Sequence, residues 1–90
     1  MPEEAVRTFI EIFVDPSLMD DVVKGLSAID DVTAVYEVTG EFDIIVATRS
    51  KDMEEFRDLL KNRIMKIKGI KTTISSIVLN IDKEQKQRGV

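Results

Sequence analysis

The chain has 90 residues, a formal net charge of −4, 43% apolar and 33% charged residues, and no Cys, His or Trp. That composition fits one globular domain. It excludes disulfides, Cys/His zinc sites, thiol nucleophiles and every acid–base arrangement built on imidazole. The charge is divided: −8 over residues 1–50 and +4 over residues 51–90. This balance argues against a basic nucleic-acid-binding surface and suits contact between the halves, within or between subunits.

The opening residues 1–7 carry two acids where a signal peptide carries bases. No apolar run approaches the ~18 residues of a membrane span, so the expectation is a cytoplasmic chain with no membrane contact. With no Cys, two Asn and two Gln against many Lys and Glu, the composition leans toward a thermophilic source. A domain this short buries roughly two thirds of its chain surface, so its stability alone is expected to be modest.

Residues 5–14 alternate, with Val6, Thr8, Ile10, Ile12 and Val14 on one side and Arg7, Phe9, Glu11 and Phe13 on the other. Asp15-Pro16 reads as an N-cap followed by proline at the first helical position. Leu18, Val22, Leu26 and Ile29 then form a helical stripe to about residue 29. Gly25 within it lowers helix propensity, so this helix relies on packing. Val32–Val38 and Phe42–Thr48 read as strands joined by Thr39-Gly40-Glu41, a hairpin whose glycine supplies an awkward φ. Ser50 is placed to cap a second helix carrying Met53, Phe56, Leu60, Ile64 and Ile67, and Gly69 stops it. Residues 70–81 form a last alternating strand, and residues 82–90 are a polar tail expected to fray.

The order is β-α-β-β-α-β. Right-handed crossovers place both helices on one face of a four-stranded antiparallel sheet, a ferredoxin-like α+β arrangement with strand order 4-1-3-2. The other face offers Phe9 and Phe13, with Ile77, Leu79 and Ile81 expected beside them. A patch of that kind left in water is unusual, so two sheets are expected to pack face to face in a dimer.

Catalytic candidates are few. Asp20-Asp21 and Asp30-Asp31 are adjacent residues that diverge, and they lack the ligand spacing of a calcium loop. The glycines at 25, 40, 69 and 89 are too scattered for a phosphate loop. Tyr36, the single tyrosine, reads as packing at an edge or interface. No enzyme, metal or cofactor is expected.

The run Val35-Tyr36-Glu37-Val38-Thr39-Gly40-Glu41-Phe42-Asp43-Ile44-Ile45-Val46 is distinctive. It resembles the V-Y-x-V-T-G-x-[FY]-D hairpin of the RAM domain, the effector-sensing half of the Lrp/AsnC (feast/famine) transcription regulators. The similarity continues through Phe56, Leu60 and Ile64 to Gly69-Ile70-Lys71-Thr72-Thr73 and Ile77-Val78-Leu79. It covers about residues 5–81. Full-length members of that family carry a helix-turn-helix before the first strand. Here four residues precede it, so the chain looks like a single stand-alone RAM domain (1–90) that does not itself bind DNA.

The resemblance implies a sensor of small molecules, usually amino acids, that dimerises through its sheets and assembles further into tetramers or octamers. It also implies effectors lodged between dimers near the hairpin, at Thr39, Gly40, Glu41, Phe42 and Asp43, with Thr72, Thr73 and Ser75 as further candidates. Pairing with full-length Lrp/AsnC regulators would carry the signal to transcription. An amino acid is a zwitterion. Asp43 or Glu41 suits its ammonium group, backbone N–H groups around Gly40 its carboxylate, and the Thr and Ser hydroxyls either. Each residue also has a plainer role: Gly40 in the turn, Asp43 on nearby backbone, and the Thr and Ser residues along a strand edge. Two other readings stand beside the sensor. One is a ligand-free structural adaptor. The other is an ACT-like regulatory module, which usually carries a glycine-rich turn where this chain has Asp15-Pro16-Ser17.

Overall fold

The computed structural model describes residues 5–85. The strands are β1 (Val6–Val14), β2 (Val32–Glu37), β3 (Ile44–Ser50) and β4 (Ile70–Ile77). They form one antiparallel sheet in the order β2-β3-β1-β4, the topology expected from the pattern. Helix α1 (Met19–Ser27) follows β1, and α2 (Met53–Asp58) follows β3. The expected fraying tail lies partly in residues 86–90, outside the described residues.

The core sits between the helices and one sheet face. Ile10, Ile12 and Val14 of β1 and Ile44 and Val46 of β3 are buried against Val22, Leu26, Phe56, Leu59 and Ile64. Each such side chain contributes about 1.5–3 kcal/mol relative to leaving it in water. Thr8 and Thr48, register partners on this same face, are buried and satisfy each other through a hydroxyl–hydroxyl hydrogen bond.

Local chemistry sets the helix ends. Asp15 accepts hydrogen bonds from the Ser17 backbone N–H (3.0 Å) and hydroxyl (2.9 Å), starting a 3₁₀ turn over Pro16–Leu18 that leads into α1. Asp52, and not Ser50, caps α2: its carboxylate accepts from the Glu55 N–H at 2.8 Å. Glu55 reaches back to the Lys51 N–H, a reciprocal box. Ser50 is still in β3 and buried. Beyond α2 the chain widens into a π-helix over Leu59–Ile64, with Met65 N–H bonding to Leu60 C=O at 2.9 Å. The wider turn lets both Leu59 and Ile64 face the core, which a regular 3.6-residue period would not do.

Gly69 then turns with φ +109. A Cβ there would lie 2.8 Å from Val22 Cγ2 and 2.9 Å from Leu18 Cβ. Its carbonyl accepts from the Asp15 N–H at 2.8 Å, closing the end of β1 onto the entry of β4. Gly25 lets Ile67 pack onto α1, since an added Cβ would sit 3.3 Å from its Cδ1.

Candidate functional site

The connection between β2 and β3 is longer than the expected three residues. The Val38 N–H donates to Asp43 C=O at 3.0 Å and closes the base of the loop, residues 38–43, and the ladder of β3 starts only at Ile44. Gly40 stands at φ +131 with open space around it. Thr39, Gly40 and Glu41 are exposed; Phe42 and Asp43 are half-buried.

Asp43 ties this loop to the centre of the sheet. Its N–H donates to Ile12 C=O at 3.1 Å, and its Oδ2 accepts from the Val14 N–H at 2.8 Å. One carboxylate oxygen is thus committed to backbone where β1 ends. Phe42 packs edge-on against Phe13, with ring centroids 5.5 Å apart and planes at 65°. Phe13 is in register with Thr72 of β4. Loop, β1 and Thr72 therefore meet at one end of the sheet face that the helices leave open.

Thr73 and Ser75 lie elsewhere. They are in register with the buried Ile12 and Ile10, so they share the helix side of the sheet. The Thr73 hydroxyl lies 3.6 Å from the sulfur of Met65.

The open face is defined by register. Ala34, Ala47, Phe9 and Ser76 form one row across it, and Tyr36, Ile45, Glu11 and Ile74 the next. Phe9, Tyr36 and Ile74 are 46%, 54% and 47% exposed. Ile77, expected on this face, is in register with Thr8 and lies on the other side. The cause is a bulge: β1 advances one residue from Phe13 to Val14 while β4 advances two, from Thr72 to Ile70, so Lys71 shifts the alternation. Ile74 takes the place on the open face expected of Ile77. Leu79 and Ile81 lie beyond β4, exposed. Ile74, which alternation read from Ile70 misses, joins Phe9 and Tyr36 in one apolar patch.

At the opposite end of this face Arg7 and Arg49 are register partners. Glu84, from the segment after β4, reaches Arg7 with both oxygens, at 2.9 and 3.3 Å. The hydrogen bonds and charge of Arg7, with a further contribution from Arg49, hold the Glu84 carboxyl below its usual range. A cleft of about 190 Å³ opens between the two arginines, Phe9, Thr33 and Ala47. Among the described residues, no group of three or more Asp or Glu is placed to hold a metal, and no helix is long and apolar enough to cross a membrane.

A β-α-β-β-α-β chain with one covered sheet face, one open apolar face and a braced hairpin defines a small α+β domain of ferredoxin-like topology. The family model of the Lrp/AsnC ligand binding domain matches residues 7–88, and the chain belongs to that family. It is 32% identical over 79 residues to a homocitrate synthase of Saccharolobus islandicus, covering 87% of this chain and 17% of that enzyme. AsnC of E. coli superposes with a TM-score of 0.86 at 25% identity, over 91% of this chain and 56% of AsnC. The feast or famine regulatory protein of M. tuberculosis, solved in complex with L-methionine, superposes with a TM-score of 0.77 at 31% identity. That match covers 92% of this chain and 56% of the regulator. The chain thus spans about a sixth of the curated enzymes it matches and just over half of each of these regulators.

Proposed function

We propose that this chain, read as one domain over residues 1–90, binds an amino acid and self-associates through the open face of its sheet. The observation that carries the reading is the placement of the hairpin. It is exposed, held to β1 through Asp43 and Phe42, and set at the rim of the apolar face bearing Phe9, Tyr36 and Ile74. The family relation and the L-methionine bound to the M. tuberculosis regulator support an amino acid as effector. The loop residues Thr39–Asp43 and Thr72 form one wall of the site, and a second copy or a second dimer supplies the rest. Thr73 and Ser75, the other ligand-binding candidates, lie on the helix side of the sheet and stand apart from this wall. Backbone N–H groups around Gly40 hold the carboxylate, and Glu41 with the remaining oxygen of Asp43 holds the ammonium.

The domain performs no chemistry of its own; it acts in the cytoplasm by changing the assembly of what it joins. In the first reading that target is a full-length Lrp/AsnC regulator, and the chain modulates transcription without touching DNA. The match to homocitrate synthases supports a second, in which the same fold serves an enzyme as a regulatory segment.

Denaturant unfolding in the presence of each of the twenty amino acids tests the proposal. A ligand at a hundred times its dissociation constant adds ~2.7 kcal/mol in the one-site case. A shift limited to one or a few amino acids is expected. Equal stability with all twenty, the oligomer being intact, would leave an adaptor without an effector.

A further inference from the structure

The open face carries one acid among apolar side chains and two cations at its end. Glu11 is half-buried between Ile45 and Ile74 in register, with Phe9 and Phe13 before and after it on the same side of β1. Arg7 and Arg49 lie one row beyond the Phe9 row. Any protein surface that covers this face takes Glu11 out of water, and a carboxylate so covered needs a cation opposite it. The face itself supplies one. A two-fold axis lying across the strands through the Phe9 row reverses the strand direction of a second copy. The row of Glu11 then faces the row of Arg7 and Arg49, and Phe9 and Ala47 meet their own counterparts.

Arg7 already holds a carboxylate, that of Glu84, and the charge of Arg49 adds to the attraction. Resting on the self-association read above, we propose that Arg7 and Arg49 form a carboxylate-binding pair whose second occupant is Glu11 of another copy of this chain. Glu84 and that Glu11 compete for it. The segment following β4 is therefore an intramolecular competitor of dimerisation, and the charges fix which way the two sheets face. Both ionic contacts weaken with salt, whereas the apolar contact of the Phe9 rows does not.

Sedimentation equilibrium of the full chain and its variants tests this. Glu84→Gln removes the carboxylate held by Arg7 and is expected to tighten dimerisation by about two- to fivefold, the factor an exposed ion pair carries. Glu11→Arg alone, and Arg7→Glu with Arg49→Glu, each set like charges against one another. Each is expected to weaken self-association by about a hundredfold or more. Mixed together, these two variants restore dimers of mixed composition, because each then meets the opposite charge. Circular dichroism confirms the fold of every variant, since the altered side chains are at the surface. A wild-type dimer that charge reversal does not weaken, and that Glu84→Gln does not tighten, leaves sheet pairing standing and overturns the exchange of carboxylates. A chain that stays monomeric both as wild type and as Glu84→Gln contradicts the exchange and the self-association together.

Discussion

The two faces of the sheet are made by the same strands and differ in almost everything else. On the helix side of β1, Thr8, Ile10, Ile12 and Val14 are at most 3% exposed, and the one polar member is satisfied by Thr48. On the other side, Phe9 is 46% exposed, Glu11 and Phe13 are half-buried, and Arg7 reaches out to Glu84. Strand alternation places the two sets 180° apart, so one face can be spent on folding while the other stays available for recognition. The same nine residues of β1 therefore encode both a core face and an open apolar face without conflict.

The largest effects come from exchanging the roles of the faces. Ile12→Ala removes a fully buried side chain and is expected to cost about 2–5 kcal/mol, read by denaturant unfolding. Phe9→Ser with Phe13→Ser is expected to leave the fold intact and abolish the dimer, read as particle mass. An unchanged mass would show that the open face is not where copies meet.

The next effect separates two glycines with positive φ. Gly69→Ala strains the backbone and drives a methyl into Val22 and Leu18, so a loss of about 2–4 kcal/mol is expected. Gly40→Ala meets open space and pays the backbone term alone, about 1 kcal/mol, with a weakened ligand response. Equal losses would mean that the close approach of Gly69 to α1 contributes nothing.

The smallest effect concerns Asp31. Burial, with the nearby charge of Glu55, raises its pKa. An acid whose pKa is higher folded than unfolded favours the native state when protonated, and that advantage is lost as pH rises through the folded value. Asp31→Asn is therefore expected to raise the unfolding midpoint slightly at neutral pH and to change nothing below the ordinary aspartate range. A stabilisation that persists into acid would assign the effect to packing instead of charge.

Element order, topology and the covered face were legible because β1 and β3 alternate cleanly and the first helix carries its stripe and its Asp15-Pro16 start. The misreadings share a cause: a period cannot reveal where a ladder begins or where it slips. Phe42 and Asp43 continue the alternation of β3 yet belong to the loop, because the Asp43 carboxylate turns back to Val14. The bulge at Lys71 reverses the phase of β4 and moves Ile77 off the open face. The cap at Asp52 has a signal in the sequence, since Glu55 follows it by three residues, whereas Ser50 has only its residue type to suggest a cap. The π-helix shows in the five-residue step from Leu59 to Ile64, both buried. The Arg7–Glu84 contact joins residues 77 apart and leaves no local trace.

The central claim is that the hairpin end of the open face receives the effector while the rest of that face joins copies. Amide hydrogen exchange, with and without the amino acid that shifts stability, measures both ends at once. Protection at residues 38–43 and at Thr72, beyond the uniform slowing that added stability brings, is the result this account predicts. Protection confined to the end bearing Arg7 and Arg49, with the hairpin unchanged, would contradict it.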